Sequence, residues 1–248
     1  MTSQNRYWDA LASNGIDAST IDPNDLLGRK NSYLSGIRNN EIIRRLHGVI
    51  CPGSIVLDLG CGTGGLSKAL CGEDWLVAGL DISSGLLHRS CERGLFTTAT
   101  FMQYDGSHFP ISDASVDAIT TYVVLNHILE AKDLSKVLDE CSRVLKPSGK
   151  MICVEQISRR PKMSHKYWKL QRTTDGFTRA FTDASFSVRS VDIVRYGHFP
   201  VTPLIRYGLV PRSWFGFVAA CERWVGRYWK AGLVDYADAV FVLEKSRL

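Results

Sequence analysis

An apolar run, Val56-Leu-Asp-Leu59, breaks directly into Gly60-Cys-Gly62-Thr-Gly64-Gly65. No other feature of the chain limits its fold so strongly. Glycine removes the Cβ atoms that keep a ligand off the backbone, and it permits the positive φ that a tight strand-to-helix turn needs. A loop of this kind can touch a nucleoside-type ligand directly, although a lone glycine loop after a strand is often only a turn. Gly60, Gly62 and Gly65 also satisfy G-x-G-x-x-G, the fingerprint of dinucleotide sites, so the glycines alone leave two readings open. Asp58 separates them in part. A carboxylate beside the loop suits a cationic ligand better than the diphosphate of a dinucleotide.

The rest of the chain follows the rhythm of a parallel sheet, with apolar stretches alternating with helical ones. The pattern predicts strands near 54–60, 75–81, 98–105, 115–125, 150–157, 186–197 and 236–246, with helices starting near 65, 83, 133 and 173. Ahead of the first strand, residues 1–53 predict a helical cap. Its helices fall at Tyr7 to Ala12 and Asn31 to His47, around a loop containing Asp22-Pro-Asn-Asp25. At 248 residues, 45% hydrophobic and 22% charged, the chain has the make-up of one ordinary α/β domain. Its start lacks the apolar core of a signal peptide, and no run reaches the ~18 apolar residues of a membrane span. The expectation is a cytoplasmic protein. Seven cysteines show no Cys-x-x-Cys pair and no Cys/His cluster at ligand spacing, so reduced thiols and no metal are expected.

Five stretches in order resemble the motifs of the class I S-adenosylmethionine-dependent methyltransferases, from about Gly53 to the C-terminus. They are Asp58-Leu-Gly-Cys-Gly-Thr-Gly, Trp75 to Asp81, Phe101 to Ser107, Phe109 to Thr120, and Leu145-Lys-Pro-Ser-Gly-Lys-Met. The resemblance implies a Rossmann-like three-layer sandwich with a seven-stranded, mostly parallel sheet whose last strand is antiparallel. It implies S-adenosyl-L-methionine as cofactor. Asp58, Gly60, Cys61, Gly62, Thr63 and Gly64 would cradle the methionine part, and Asp81 would take the two ribose hydroxyls. Ile82 would pack on the adenine, Asp105 with Gly106 and Ser107 would meet the adenine amino group, and Tyr122 would complete the cofactor site. Each carboxylate also has a plainer reading, Asp81 as a helix cap and Asp105 as a turn residue before Gly106.

In an open α/β sheet the ligand lies beyond the carboxyl ends of the strands. Candidate bases there are His127 after the fourth strand, His165 in the following basic segment and Glu155 at the end of the fifth strand. Asn126 is a candidate hydrogen-bond donor to cofactor or acceptor. Tyr7, Trp8 and Tyr33 of the cap are candidate covers. An insertion over 200–234 should roof the substrate.

Charge fits this arrangement. Residues 158–230 hold fourteen Lys or Arg against four Asp or Glu, although the whole chain carries only +5. Such one-sided charge concentrates anions, which points to a small anionic molecule or a glycan, methylated on oxygen or nitrogen. The apolar positions Trp214, Phe217, Val218, Cys221, Trp224, Val225 and Tyr228 form one helical stripe. It is expected to pack on the domain as a lid, with peripheral membrane contact through 214–229 as the second option. An RNA substrate lacks any recognisable binding motif to support it. A lipid or quinone acceptor, a noncatalytic partner subunit and an NAD-dependent oxidoreductase are the remaining alternatives.

Overall fold

The structure is a computed structural model that describes residues 3–14, 22, 24–94, 98–197, 199–228 and 236–246. Seven strands form one sheet: β1 (Ile55–Leu59), β2 (Leu76–Asp81), β3 (Ala99–Gln103), β4 (Val116–Tyr122), β5 (Leu145–Ile157), β8 (Phe186–Tyr196) and β9 (Ala237–Lys245). Their spatial order is β3-β2-β1-β4-β5-β9-β8. All neighbours run parallel except β9, which is antiparallel to both β5 and β8. This is the sheet the motif order implies. A separate hairpin, β6 (Lys162–Ser164) with β7 (Lys169–Gln171), interrupts the basic segment after β5, where the sequence suggests only a loop.

Alternation along the central strands sends side chains to two cores. Leu57, Leu59, Met151 and Cys153 face α5 (Ala131–Val144) and α6 (Thr174–Asp183). Val56, Ile152, Val154 and Val240 face α2 (Arg29–His47), α3 (Gly65–Cys71) and α8 (Phe215–Tyr228). Strands buried on both faces read as unbroken apolar runs, which is why Val56-Leu-Asp-Leu59 stands out in the sequence. α5 shows the helical period on one face, with Leu134, Val137, Leu138, Cys141 and Val144 buried.

The N-terminal segment divides in two. α2 joins the sandwich itself, burying Tyr33, Leu34, Ile37, Ile42 and Leu46, and Asp25 Oδ2 caps it by accepting from the Asn31 N–H at 2.8 Å. α1 (Ser3–Leu11) instead crosses the carboxyl end of the sheet. Asp9 Oδ1 accepts there from Ser83 Oγ at 2.6 Å and from the Gly85 N–H at 3.0 Å, at the start of α4 (Ser84–Cys91), while Gln4 Nε2 donates to the His127 carbonyl at 3.0 Å.

The insertion begins with α7 (Thr202–Arg206) and continues into α8; residues 229–235 lie outside the described ones. The expected stripe does not pack inward as a lid. Val218 is buried, but Trp214, Phe217 and Trp224 are exposed, because α8 docks through Val218, Ala219 and Glu222, one residue round from the stripe's centre. Tyr33 holds it from below, its hydroxyl donating to Glu222 Oε2 at 2.8 Å and its ring meeting Phe215 edge-on. Tyr33 is therefore a staple between α2 and α8 and lines neither of the cavities described below.

Candidate active site

Two cavities meet at the carboxyl end of β4. The first is a cleft of about 410 Å³ over the ends of β1, β2 and β3, closed from above by Gln4, Asn5 and Trp8 of α1. Its floor is Gly60, Gly62, Asp81, Ile82, Asp105, Gly106, Ser107 and Tyr122. The second, about 820 Å³, lies between α1, α2, the β6–β7 hairpin and α7. Trp8, Tyr122, Val123 and His127 line both. A group passed from a ligand in one cavity to a ligand in the other passes these four residues.

The glycine loop owes its shape to close approach. Gly60 has φ +70°, and a Cβ added there would meet Val124 Cγ1 at 2.8 Å. Gly60→Ala is therefore expected to cost about 2 kcal/mol or more, from the left-handed backbone and the overlap together. A melting curve showing no loss would contradict this account of the loop.

Asp81, at the end of β2, is buried. Its Oδ2 accepts from the Gly62 N–H at 2.8 Å and its Oδ1 from the Ser83 N–H at 2.9 Å. Burial pushes its pKa up to about 6 against these bonds. The cap of α4 itself is Ser83, whose Oγ accepts from the Leu86 N–H at 3.1 Å. At Asp105 the turn role is present: Oδ1 accepts from Ser107 N, Ser107 Oγ and His108 N, which hold the carboxyl below its usual range. The side chain still lines the cleft.

Four residues assigned to the cofactor from sequence stand outside the cleft wall. Asp58 lies beneath the loop, accepting from Ser67 Oγ at 2.6 Å. Cys61 is buried against Gly79 and Phe101, where burial pushes its thiol up. Thr63 is buried, with its carbonyl accepting from Arg93, and Gly64 caps α3. The motif is one run of sequence, but neighbouring side chains of a strand and turn point opposite ways.

Burial raises Asp58 from 3.8 to about 7. With the folded pKa above the unfolded one, its contribution to stability is full below about pH 4 and is lost as pH rises through 7. Asp58→Asn keeps an acceptor for Ser67 and should narrow the gap between the melting temperatures at pH 5 and pH 8, with cofactor affinity unchanged.

Of the three candidate bases, only His127 reaches the junction. It sits in the short 3-10 turn after β4, edge-on to Trp8 with ring centroids 4.8 Å apart. Its Nδ1 lies 2.8 Å from the Trp168 carbonyl, which can only accept, so Nδ1 carries the proton and Nε2 is left as an acceptor. Burial, with Lys169 nearby, pushes its pKa down to about 4. Glu155 lies outside both cavity walls and is wholly buried, holding the 124–126 turn through five hydrogen bonds from Thr121, Val124, Leu125 and Asn126. Asn126 spends its amide on Glu155 and on the Gln156 carbonyl. His165 is exposed in the hairpin turn, away from both cavities.

The sequence gives no warning of Val123, whose φ of +54° places a β-branched residue in the left-handed region at the junction. Such backbone strain gathers at functional sites. Lys169 was also hidden, since only the hairpin brings it beside Gln156 at the cavity wall. Among the described residues, no group of three or more His, Cys, Asp or Glu is placed to hold a metal.

The walls of the two cavities differ in charge. The cleft has Asp81, Asp105, Glu130 and Asp133 with no Lys or Arg. The second cavity has Lys30, Arg38, Lys166, Lys169, Arg195 and Arg206 with one carboxylate, Asp22.

Residues 57–153 match a family described as methyltransferase domain. A ubiquinone/menaquinone biosynthesis C-methyltransferase of Caulobacter sp. strain K31 is 30% identical over 115 residues, 42% of this chain and 44% of that one. A demethylmenaquinone methyltransferase of Clavibacter sepedonicus is 36% identical over 104 residues, 42% and 41% of the two chains. The chain thus spans less than half the length of these curated relatives. A geranyl diphosphate methyltransferase, solved with GPP and sinefungin, superposes over 98% of this chain and 97% of that one, at a TM-score of 0.66 and 16% identity. That likeness is one of fold.

Proposed function

We propose that this chain, whose residues 57–153 belong to a class I S-adenosylmethionine-dependent methyltransferase domain, transfers the cofactor's methyl group to a small organic anion held in the second cavity. The opposite charge of the two walls carries the proposal. S-adenosylmethionine bears a sulfonium cation, and a cleft with four carboxylates and no cation fits it; the diphosphate of NAD would meet the same four carboxylates. In this reading Asp81 accepts from the ribose, Ile82 and Leu86 give the apolar wall, and Asp105 meets the adenine end.

The bound cofactor supplies an activated methyl, so the protein's work is alignment. Holding both reactants in attack geometry is worth roughly 7–11 kcal/mol of the barrier. Trp8, Tyr122, Val123 and His127 form the passage between the two. Tyr122 is fixed there by Arg38, whose Nη1 donates to its hydroxyl at 2.5 Å and whose charge lies 4.8 Å from its ring. If the acceptor is a hydroxyl or an ammonium, His127 Nε2 is the neutral base that receives its proton. A phosphate or carboxylate oxygen needs none. Carbon is the second reading for the accepting atom, favoured by the name of the Caulobacter relative.

Anion binding rests on cations that the fold has not already paired. Arg38 is committed to Asp238, Arg195 to Glu222 and Lys30 to Asp22. Lys169 forms no ion pair with a carboxylate among the described residues, and burial lowers its pKa to about 8. Its charge is present below pH 8 and disappears above it, so kcat/KM for an anionic acceptor should fall about tenfold per pH unit there. Lys169→Arg should extend the plateau, since guanidinium stays charged. A profile identical in the variant would remove Lys169 from acceptor binding.

The test of the function is transfer of labelled methyl from S-adenosylmethionine to a panel of phosphorylated and carboxylated acceptors and their neutral counterparts. Turnover of the anions is expected. Equal turnover of the neutral compounds overturns the anionic acceptor, and calorimetric binding of NAD in place of S-adenosylmethionine overturns the enzyme class.

A further inference from the structure

We infer that the rim of the second cavity is a docking surface for an anionic lipid bilayer. Among the described residues, the large apolar side chains that are exposed concentrate in two segments. Leu26 (94% exposed) and Leu27 lie before α2; Leu204, Tyr207, Leu209 (70%), Trp214, Phe217 (69%) and Trp224 (62%) run from α7 into α8. The others, Val49, Leu76, Met163, Tyr167 and Ile193, are spread over the rest of the chain, and Tyr167 lines the same cavity.

The two segments are one surface. The Arg206 guanidinium donates to the Asn24 carbonyl at 2.6 Å. Arg29 donates to the Val210 carbonyl and stands 5.7 Å from the centre of the Phe215 ring. Gly208 passes so close to Leu27 that a Cβ on it would lie 3.7 Å from Leu27 Cδ1. Asn24, Pro203, Arg206 and Tyr207 belong both to this surface and to the cavity wall, so the cavity opens within it. Exposed apolar patches of this extent mark interaction sites.

Charge selects the occupant. Residues 199–225 contain Arg206, Arg212 and Arg223 and a single carboxylate, Glu222. Glu222 is buried and spent on Arg195 and Tyr33, so it contributes no negative charge to the surface. A surface of Trp, Phe, Leu and Arg whose nearby acids are buried, as Glu222 is, or paired, as Asp22 is with Lys30, complements a negative headgroup layer with an apolar interior. No helix among the described residues is long and apolar enough to cross a membrane, so the chain lies on the bilayer through this face. An amphiphilic acceptor then enters the cavity from the membrane plane. That last step rests on the acceptor reading of the cavity; the docking does not.

The test is co-sedimentation of the whole protein with vesicles of phosphatidylcholine alone and with about a third phosphatidylglycerol, at about 0.1 M and about 0.5 M NaCl. Phe217→Glu and Leu209→Glu replace exposed side chains. Calorimetric titration of the same preparations with S-adenosylmethionine checks that the variants are folded and binding. Wild type is expected on phosphatidylglycerol vesicles, about tenfold weaker on phosphatidylcholine or in high salt, and each variant about tenfold weaker than wild type. Three outcomes overturn the inference: no wild-type binding to the anionic vesicles, equal binding by the variants, or a wild-type dimer in light scattering that Phe217→Glu dissociates. Vesicle binding without S-adenosylmethionine binding would leave the docking surface in place and remove the methyltransferase reading.

Discussion

Glu155→Gln is expected to destabilise the protein by about 2–6 kcal/mol, although it removes only a charge. Oε1 accepts from Thr121 Oγ1, Val124 N and Leu125 N, and Oε2 from Asn126 N and Nδ2, at 3.0–3.2 Å. A glutamine amide must turn its NH2 toward one of these sets. At least two buried donors then face another donor, at about 1–3 kcal/mol each. Burial already raises the Glu155 carboxyl to about 7 against those five donors, so the site is costly to ionise and costlier to leave without acceptors. The same turn carries His127, whose N–H donates to the Val124 carbonyl, so activity should fall with stability. Urea denaturation and initial rates, measured side by side, check this. A base at position 155 would instead lose rate with stability intact, and that result would reinstate the sequence-based role.

Asp81→Ala should weaken S-adenosylmethionine binding by at least two orders of magnitude. In the proposed site the carboxylate accepts from two ribose hydroxyls, each worth about 1.5–3 kcal/mol as a bond to a charged group. A second loss adds to it, because Asp81 also anchors the Gly62 and Ser83 N–H groups in the two loops beside the cleft. Calorimetric titration of the variant measures the effect. Affinity within about threefold of wild type, roughly 0.7 kcal/mol, would move the cofactor away from β2.

The sheet was legible in the sequence because strands buried on both faces are unbroken apolar runs, and the helices of 131–144 and 174–183 because half-buried helices repeat their apolar face. Gly60 was legible as the tight turn after the first strand, which needs a positive φ, and Asp81 and Asp105 as acids near strand ends, where they line the cleft. What failed depended on direction in space. Asp58 and Glu155 are carboxylates at the right end of the right strands, yet both are buried in the fold's own hydrogen bonds, where they replace missing backbone partners. The stripe from Trp214 to Tyr228 has helical period but does not state which arc meets the domain; Tyr33 and Arg195, from distant segments, decide that by holding Glu222 inward. Lys169 gains its place only through the β6–β7 hairpin, a pairing of three residues with three that leaves almost no periodic trace.

In the proposed reaction the acid-only wall of the cleft has a bearing on turnover. Methyl transfer converts a sulfonium into a neutral thioether, so the sulfonium's share of the attraction to the wall is switched off by the proposed reaction itself. The spent cofactor is left with one cation fewer, while the next charged molecule competes for the same carboxylates with the advantage of its sulfonium. The cleft thereby favours exchange over product inhibition, and this preference should shrink as added salt screens the wall.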